Sequence, residues 1–355
     1  MGEQSEENPK VVVSCGSTKI DESDFQSFVV DRDMFQPDMG AVTISNQGAK
    51  YSRIKVGDEL EIKVGEKQVS IYKGAVIGLE PIYTGGSTTR VTIRAMNKFH
   101  NLLRKRKSIT FADKNDEQIL NQVVKDAGLT LEFKHDKPPD PYKVVYQHNQ
   151  TDMEFVRTRA ARIGCHVWCV DKTLHVKQPD LQSGPIATLK LSESESKGTI
   201  KSFTPRVGSA HVIKKVTVKG WNPETKELIT GEATATSSSL GSQGAAAASG
   251  DMGDSESFTV DHPIWSKQEA DAIAKAKLQE AGLSYMTGEA HITGDPTLDI
   301  GKIVEIKSNE DPTASPGEDP FNGKYYIMGL THQYLQKSAE PFSTVLRLAR
   351  DAQKA

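Results

Sequence analysis

Four blocks of sequence occur twice in the same order, and this repeat narrows the architectures open to the chain. Val56-Gly57-Asp58-Glu59-Leu60-Glu61-Ile62-Lys63 is followed by Tyr72-Lys73-Gly74-Ala75-Val76-Ile77-Gly78-Leu79, then Tyr83, then Thr89-Arg90-Val91-Thr92-Ile93-Arg94-Ala95. Near the other end, Ile300-Gly301-Lys302-Ile303-Val304-Glu305-Ile306-Lys307 is followed by Gly323-Lys324-Tyr325-Tyr326-Ile327-Met328-Gly329-Leu330, then Tyr334, then Thr344-Val345-Leu346-Arg347-Leu348-Ala349. Each block alternates apolar and polar residues with the period of a half-buried strand. Copies this far apart cannot stack as a solenoid, whose repeats run to a few tens of residues. They predict two similar β-barrels, with other structure between the matching strands. Gly57, Asp58, Glu61 and Lys63, with Gly301, Lys302, Glu305 and Lys307, are the repeat positions singled out as candidate structural residues.

At 355 residues the chain is long enough for two or three domains. Residues 1–103 read as a β-barrel or sandwich, which the repeat makes the first of two similar barrels, with sequential antiparallel pairing and turns at Val64-Gly65-Glu66-Lys67 and Thr84-Gly85-Gly86-Ser87. Residues 104–183 change texture and read as a small α+β module. Asn115 to Gly128 has helical spacing and stops at glycine, LTLEF follows as a strand, and Thr151 with Glu154 forms a capping box for a helix reaching about Gly164. HVWCV and TLHVK return to strand. Residues 184–355 read as the second barrel, interrupted by a flexible small-residue loop at 232–257 and by a helix that Ser266 and Glu269 open and Gly282 ends. The expected class is α+β, mostly β.

Composition closes off several functions. With 44 Lys plus Arg against 47 Asp plus Glu, the net charge of −3 gives no long-range field for nucleic acid or an anionic membrane. Aromatic residues, 6% of the chain, do not interleave with the basic runs as a single-strand binder requires. Three cysteines cannot form a disulfide scaffold. MGEQSEENPK lacks the features of a secretory signal and no apolar run approaches a membrane span, so the expectation is a soluble protein made in the cytoplasm.

Cys165-His166-Val167-Trp168-Cys169 invites a zinc site, but on a strand the cysteines and His166 face opposite sides, and no second C-x-x-C completes four ligands. Buried structural cysteines are expected instead. No nucleophile elbow, H-E-x-x-H or phosphate loop accompanies the histidines. Asp113, Asp116 and Glu117 sit at a helix start, where the helix dipole accounts for them. Arg104-Lys105-Arg106-Lys107, with Arg157, Arg159 and Arg162, read as a solvated face or as intersubunit salt bridges in preference to a phosphate site. No catalytic residue, metal or cofactor is expected.

The run from Tyr146 to Trp168, YQHNQTDMEFVRTRAARIGCHVW, together with NDEQILNQVVKDAGL and Gly294 to Ile306, GDPTLDIGKIVEI, resembles the phage late control protein D family. Its members are hubs of contractile phage tails, and the same fold opens the VgrG spike proteins of type VI secretion. The resemblance covers nearly the whole chain. It implies a homotrimer whose six barrels form a pseudo-hexameric ring, a symmetry adaptor between a hexameric inner tube and a trimeric spike. A separate spike protein, an inner tube protein and other baseplate components are the implied partners, in the baseplate of a virion or injection particle. The expected function is thus a structural hub of a contractile injection system: a phage tail, a tailocin or an extracellular injection particle. Alternatives from other classes are a tail-associated cell-wall hydrolase and a free-standing carbohydrate- or nucleic-acid-binding β protein.

Overall fold

A computed structural model describes residues 9–83, 89–137, 140–191, 199–208, 212–235, 238, 240–248, 254–260, 263–307 and 319–353. The first region holds β1 (Val11–Cys15), β2 (Thr18–Lys19), β3 (Phe25–Asp33), β4 (Met39–Ser45), β5 (Glu59–Val64), β6 (Val69–Tyr83) and β7 (Thr89–Met96). Next come β8 (Arg106–Lys114), α1 (Asp116–Asp126), β9 (Thr130–Lys134), β10 (Tyr142–Thr151), α2 (Asp152–Arg162), β11 (His166–Val170) and β12 (Thr173–Lys177). The last region holds β13 (Ala187–Leu191), β14 (Thr199–Val207), β15 (Ile213–Asn222), β16 (Glu227–Thr234), β17 (Gln243–Gly244), α3 (Ala245–Ala248) and β18 (Asp254–Thr259). It continues through α4 (Lys267–Leu283), β19 (Met286–Thr293), β20 (Ile303–Lys307), β21 (Gly323–Leu335), β22 (Phe342–Arg350) and β23 (Ala352–Gln353).

One 13-stranded sheet organises the chain, in the order β2-β1-β5-β6-β7-β4-β3-β21-β20-β13-β14-β19-β22. Its last six strands close on themselves, because β22 also pairs with β21, and form a six-stranded barrel. The six strands from β1 to β3 each send alternate residues, including Val13, Phe28, Val42, Ile62, Val76 and Ile93, into one core. Pairing there is antiparallel but less sequential than expected: β1 joins β5 and β4 joins β7. Period-two alternation marks a strand without saying which strand lies beside it. β21 and β22 belong to both halves, since Leu330 and Leu346 lie in the barrel core while Tyr334 and Phe342 lie in the core of the first sheet.

The module folds around its own core, with Phe111, Ile119, Val123, Phe155, Val167 and Leu174 buried between its strands and both helices. Capping boxes open both helices, Asn115 with Gln118 and Thr151 with Glu154. Ser266 accepts from the Glu269 N–H at the start of α4, but the Glu269 carboxylate turns instead to the Trp265 N–H, so that box is half made. α4 runs one residue past Gly282.

Residues 184–355 do not form a single barrel. β16, β15 and β18 make a separate three-stranded sheet, and α4 packs on it over Val216, Val218, Ala270 and Ala274. The contact is close enough to require glycine at 231, where a Cβ would come within 2.3 Å of the Ala270 carbonyl carbon. The stretch expected to be a loop, 232–257, carries the end of β16, then β17, α3 and the start of β18. Here backbone pairing to β15 and β23 supplies the order that small side chains cannot. Residues 236, 237, 239 and 249–253 of that stretch lie outside the described residues.

Candidate functional site

The repeat positions occupy matching places in the backbone network. Gly57 N–H donates to Val76 O at 2.8 Å and Val76 N–H donates to Asp58 O at 2.8 Å; Gly301 N–H donates to Ile327 O at 2.9 Å and Ile327 N–H to Lys302 O at 2.8 Å. Both glycines have positive φ, 95° and 75°, which explains the residue type at the entry to β5 and β20. Glu61 pairs with Lys63 at 3.0 Å and Glu305 with Lys307 at 3.5 Å, each pair two residues apart on one strand face. A β-bulge follows at the same point of each hairpin, between Val76 and Gly78 against β7 and between Ile327 and Gly329 against β22. Gly78 then faces Arg94 as Gly329 faces Arg347.

The correspondence extends to two strands the sequence did not reveal. β3 and β14 each carry a bulge, between Phe25 and Ser27 and between Ile200 and Ser202, against β4 and β19. Since β4 lies on β7 as β19 lies on β22, Ser27 matches Ser202, Phe28 matches Phe203 and Asp31 matches Arg206.

Where the two halves meet, β3 adds to the edge of β21 from Gly329 to Leu335. Arg347 clamps the seam: it donates to Asp31 Oδ1 at 3.0 Å and to Arg32 O at 2.9 Å, and pairs with Asp33 at 3.1 Å. Thr331 Oγ1 donates to Asp31 at 2.7 Å. Beneath it, Arg32 lies between Asp38 at 3.1 Å and Asp299 at 2.9 Å. Burial pushes the Asp38 carboxyl up to about 7 against the pull of Arg32. Tyr334 stacks on Phe28 with ring centroids 5.7 Å apart, and His332, buried beside them, shares a 2.9 Å hydrogen bond with Thr344 Oγ1. The contacts of Asp31 with Thr331 and Arg347 span 300 and 316 residues of chain, so no local motif announces them.

In the first half the corresponding edge is open. β5 accompanies β6 as far as Val76, and among the described residues nothing pairs with Ile77–Tyr83 on the side away from β7. β14 is open likewise: β13 meets it at Thr199 and Ile200, and among the described residues nothing pairs with Ser202–Val207 on the side away from β19.

The other candidate groups are spent on packing. Cys165, Val167 and Cys169 face the module core, and burial pushes the Cys169 thiol up to about 12. His166, on the opposite face, meets Tyr326 Oη at 3.1 Å and the edge of Phe35, and burial pulls it down to about 4. Asp116 does more than oppose a helix dipole. Fully buried, it accepts from Tyr142 Oη at 2.6 Å and Arg159 Nε at 2.7 Å. Most of the basic set is neutralised within the chain: Arg106 pairs with Glu154, Lys107 with Asp152 and Arg162 with Glu269, while Arg157 is exposed. Among the described residues no cluster of His, Cys, Asp and Glu has the geometry of a metal site, and no helix is long and apolar enough to cross a membrane.

The fold has solved relatives at low identity. A tail protein from Neisseria meningitidis MC58 superposes with a TM-score of 0.71 at 15% identity, over 97% of each chain. The 43 kDa tail protein of prophage MuSo2 from Shewanella oneidensis gives 0.71 at 14% identity, over 98% of this chain and 100% of that one. The E. coli c3393 protein, described as a component of the type VI secretion system with structural similarity to the T4 bacteriophage tail proteins gp27 and gp5, gives 0.62 at 11% identity. It is covered over 76% of its length by 95% of this chain. A search of curated proteins returns no match. At the level of sequence family, residues 28–336, from β3 through the seam strand β21, match the Alg8 N-terminal domain, and the chain belongs to that family.

Proposed function

We propose that the protein is the structural hub of a contractile injection system, a homotrimeric, non-enzymatic adaptor between inner tube and spike, as the resemblance to late control protein D implies. The observation that carries this reading is the repeated hairpin with its matched bulges and hydrogen bonds, set in a fold shared end to end with phage and prophage tail proteins. A chain that contains the same structural unit twice can present six similar units as three copies, which is what joining sixfold to threefold symmetry requires. In this reading residues 1–103 and 184–355 supply the two ring elements, with the strands around Gly57–Lys63 and Gly301–Lys307 shaping them. Residues 104–183 form an outlying module. The engagement of His166, His332 and the buried cysteines in packing supports a mechanical role over a hydrolytic one.

Light scattering over a concentration series tests the proposal. The expected mass is three times 38.9 kDa for the protein alone, or that of a complex holding three copies of it after addition of the cognate tube and spike proteins, with a central hole in negative-stain images. A monomer under all of these conditions refutes it.

A further inference from the structure

The two open edges are the counterparts of the two edges that join inside the chain. β21 takes β3 along Gly329–Leu335; among the described residues its counterpart β6 has no partner along Ile77–Tyr83 on that side, and the counterpart of β3, β14, has none along Ser202–Val207. The geometry points to a head-to-tail joint between copies of this chain in which the β6 edge of one subunit receives the β14 edge of the next, in the register of the internal seam. This deepens the hub reading and rests on it.

The register follows residue by residue. Leu330 faces Arg32, Thr331 faces Asp31, Gln333 faces Val29 and Tyr334 faces Phe28. Carried to the open edges, Leu79 faces Val207, Glu80 faces Arg206, Ile82 faces Thr204 and Tyr83 faces Phe203 of the next copy. Three observations agree with this register. Tyr83 is 79% exposed although its counterpart Tyr334 is 7% exposed, and the aromatic that covers Tyr334, Phe28, has an aromatic counterpart in Phe203. The charges are complementary with their signs exchanged: inside the chain Asp31 is bound by Arg347, whereas across the open joint Arg206 meets Glu80, which Arg94 already holds at 2.6 Å. Arg206 has no ion-pair partner among the described residues, and it lines a cleft of about 630 Å³ with Thr204, leaving room for incoming side chains.

Both edges also carry a proline at facing positions. Gln336 N–H donates to Gln26 O and Leu335 N–H turns the other way, to Pro341 O, so His332 and Val30 exchange the hydrogen bonds of their rung. Their counterparts are Pro81 and Pro205, neither of which has an N–H. The joint therefore loses the hydrogen bonds of one bonding rung, between the bonded rungs at Leu79–Val207 and Tyr83–Phe203. Proline at this place blunts each edge against unrelated strands. Glu80–Arg206 and Tyr83–Phe203 then select the right one.

Ile82 and Thr204 face each other at a rung without exchanged hydrogen bonds, where Cα atoms lie about 4.5 Å apart, within reach of a disulfide. Both side chains are exposed, and the native cysteines are buried. The doubly substituted chain, Ile82→Cys with Thr204→Cys, is oxidised at a concentration where light scattering shows assembly, with tube and spike proteins present if they are needed. Covalent dimers and trimers on a non-reducing gel are expected. Each single variant and the off-register pair Ile82→Cys with Arg206→Cys should remain monomeric on that gel. A trimer by light scattering that gives no cross-link overturns this joint while leaving the hub reading intact. A chain that neither assembles nor cross-links overturns both.

Discussion

Two buried histidines tie the stability of the fold to pH. Burial pulls His332 down to about 3, with nearby Arg32 adding to the effect, and pulls His166 down to about 4. Both folded values lie below the ordinary histidine value of about 6.5, so the unfolded chain takes up these protons first. The stabilisation from keeping the rings neutral is fully present above about pH 6.5 and is lost as the pH falls toward 3 to 4. One pH unit is about 1.4 kcal/mol per group, so lowering the pH from 7.5 to 5.5 should cost about 1.4 kcal/mol for each ring, about 3 kcal/mol together. Urea unfolding at one fixed protein concentration reads this out, and the decisive quantity is the change with pH, not the stability at either pH. His332→Gln keeps a polar partner for Thr344 and should remove about 1.4 kcal/mol of the wild-type loss, whatever its offset at pH 7.5. The double variant with His166→Gln should remove about 3 kcal/mol. If His332→Gln loses as much stability as the wild type between these pH values, the buried ring does not titrate as its surroundings require.

Other consequences are simpler to measure. Asp116→Ala leaves the Arg159 guanidinium buried without its carboxylate, and should cost about 3 to 5 kcal/mol in thermal or urea unfolding. Gly294→Ala places a Cβ 2.1 Å from the Phe342 ring, and should cost about 1 to 3 kcal/mol by the same assay through overpacking at the seam. Cys15, Cys165 and Cys169 are buried, so a thiol reagent should label none of them in the native protein and all three in urea.

What could be read from the sequence was whatever the backbone writes locally. The β5-β6-β7 and β20-β21-β22 hairpins kept Gly57 and Gly301 because each entry turn needs positive φ, and their inward residues kept the period of a strand. The capping boxes at Asn115 and Thr151 lie within four residues of chain. The match of β3 to β14 was hidden because the β15–β18 sheet and α4 are inserted between β14 and β19, whereas β3 and β4 are consecutive. The closing of the barrel by β13 in parallel with β20 was equally invisible, since alternation carries no information about direction. Asp31, Asp33 and Arg347 each look like ordinary surface charges until register places them together.

The sharing of β21 and β22 between two cores fixes how the molecule can come apart. Leu330 and Leu346 anchor these strands in the barrel, and Tyr334 and Phe342 anchor the same strands in the first sheet. Neither half can melt while the other keeps its full set of strands, so both should open in a single cooperative transition. The amides around Tyr334 should therefore exchange with solvent as slowly as those around Leu330, and a force pulling the halves apart would have to shear the β21–β3 ladder before either core yields.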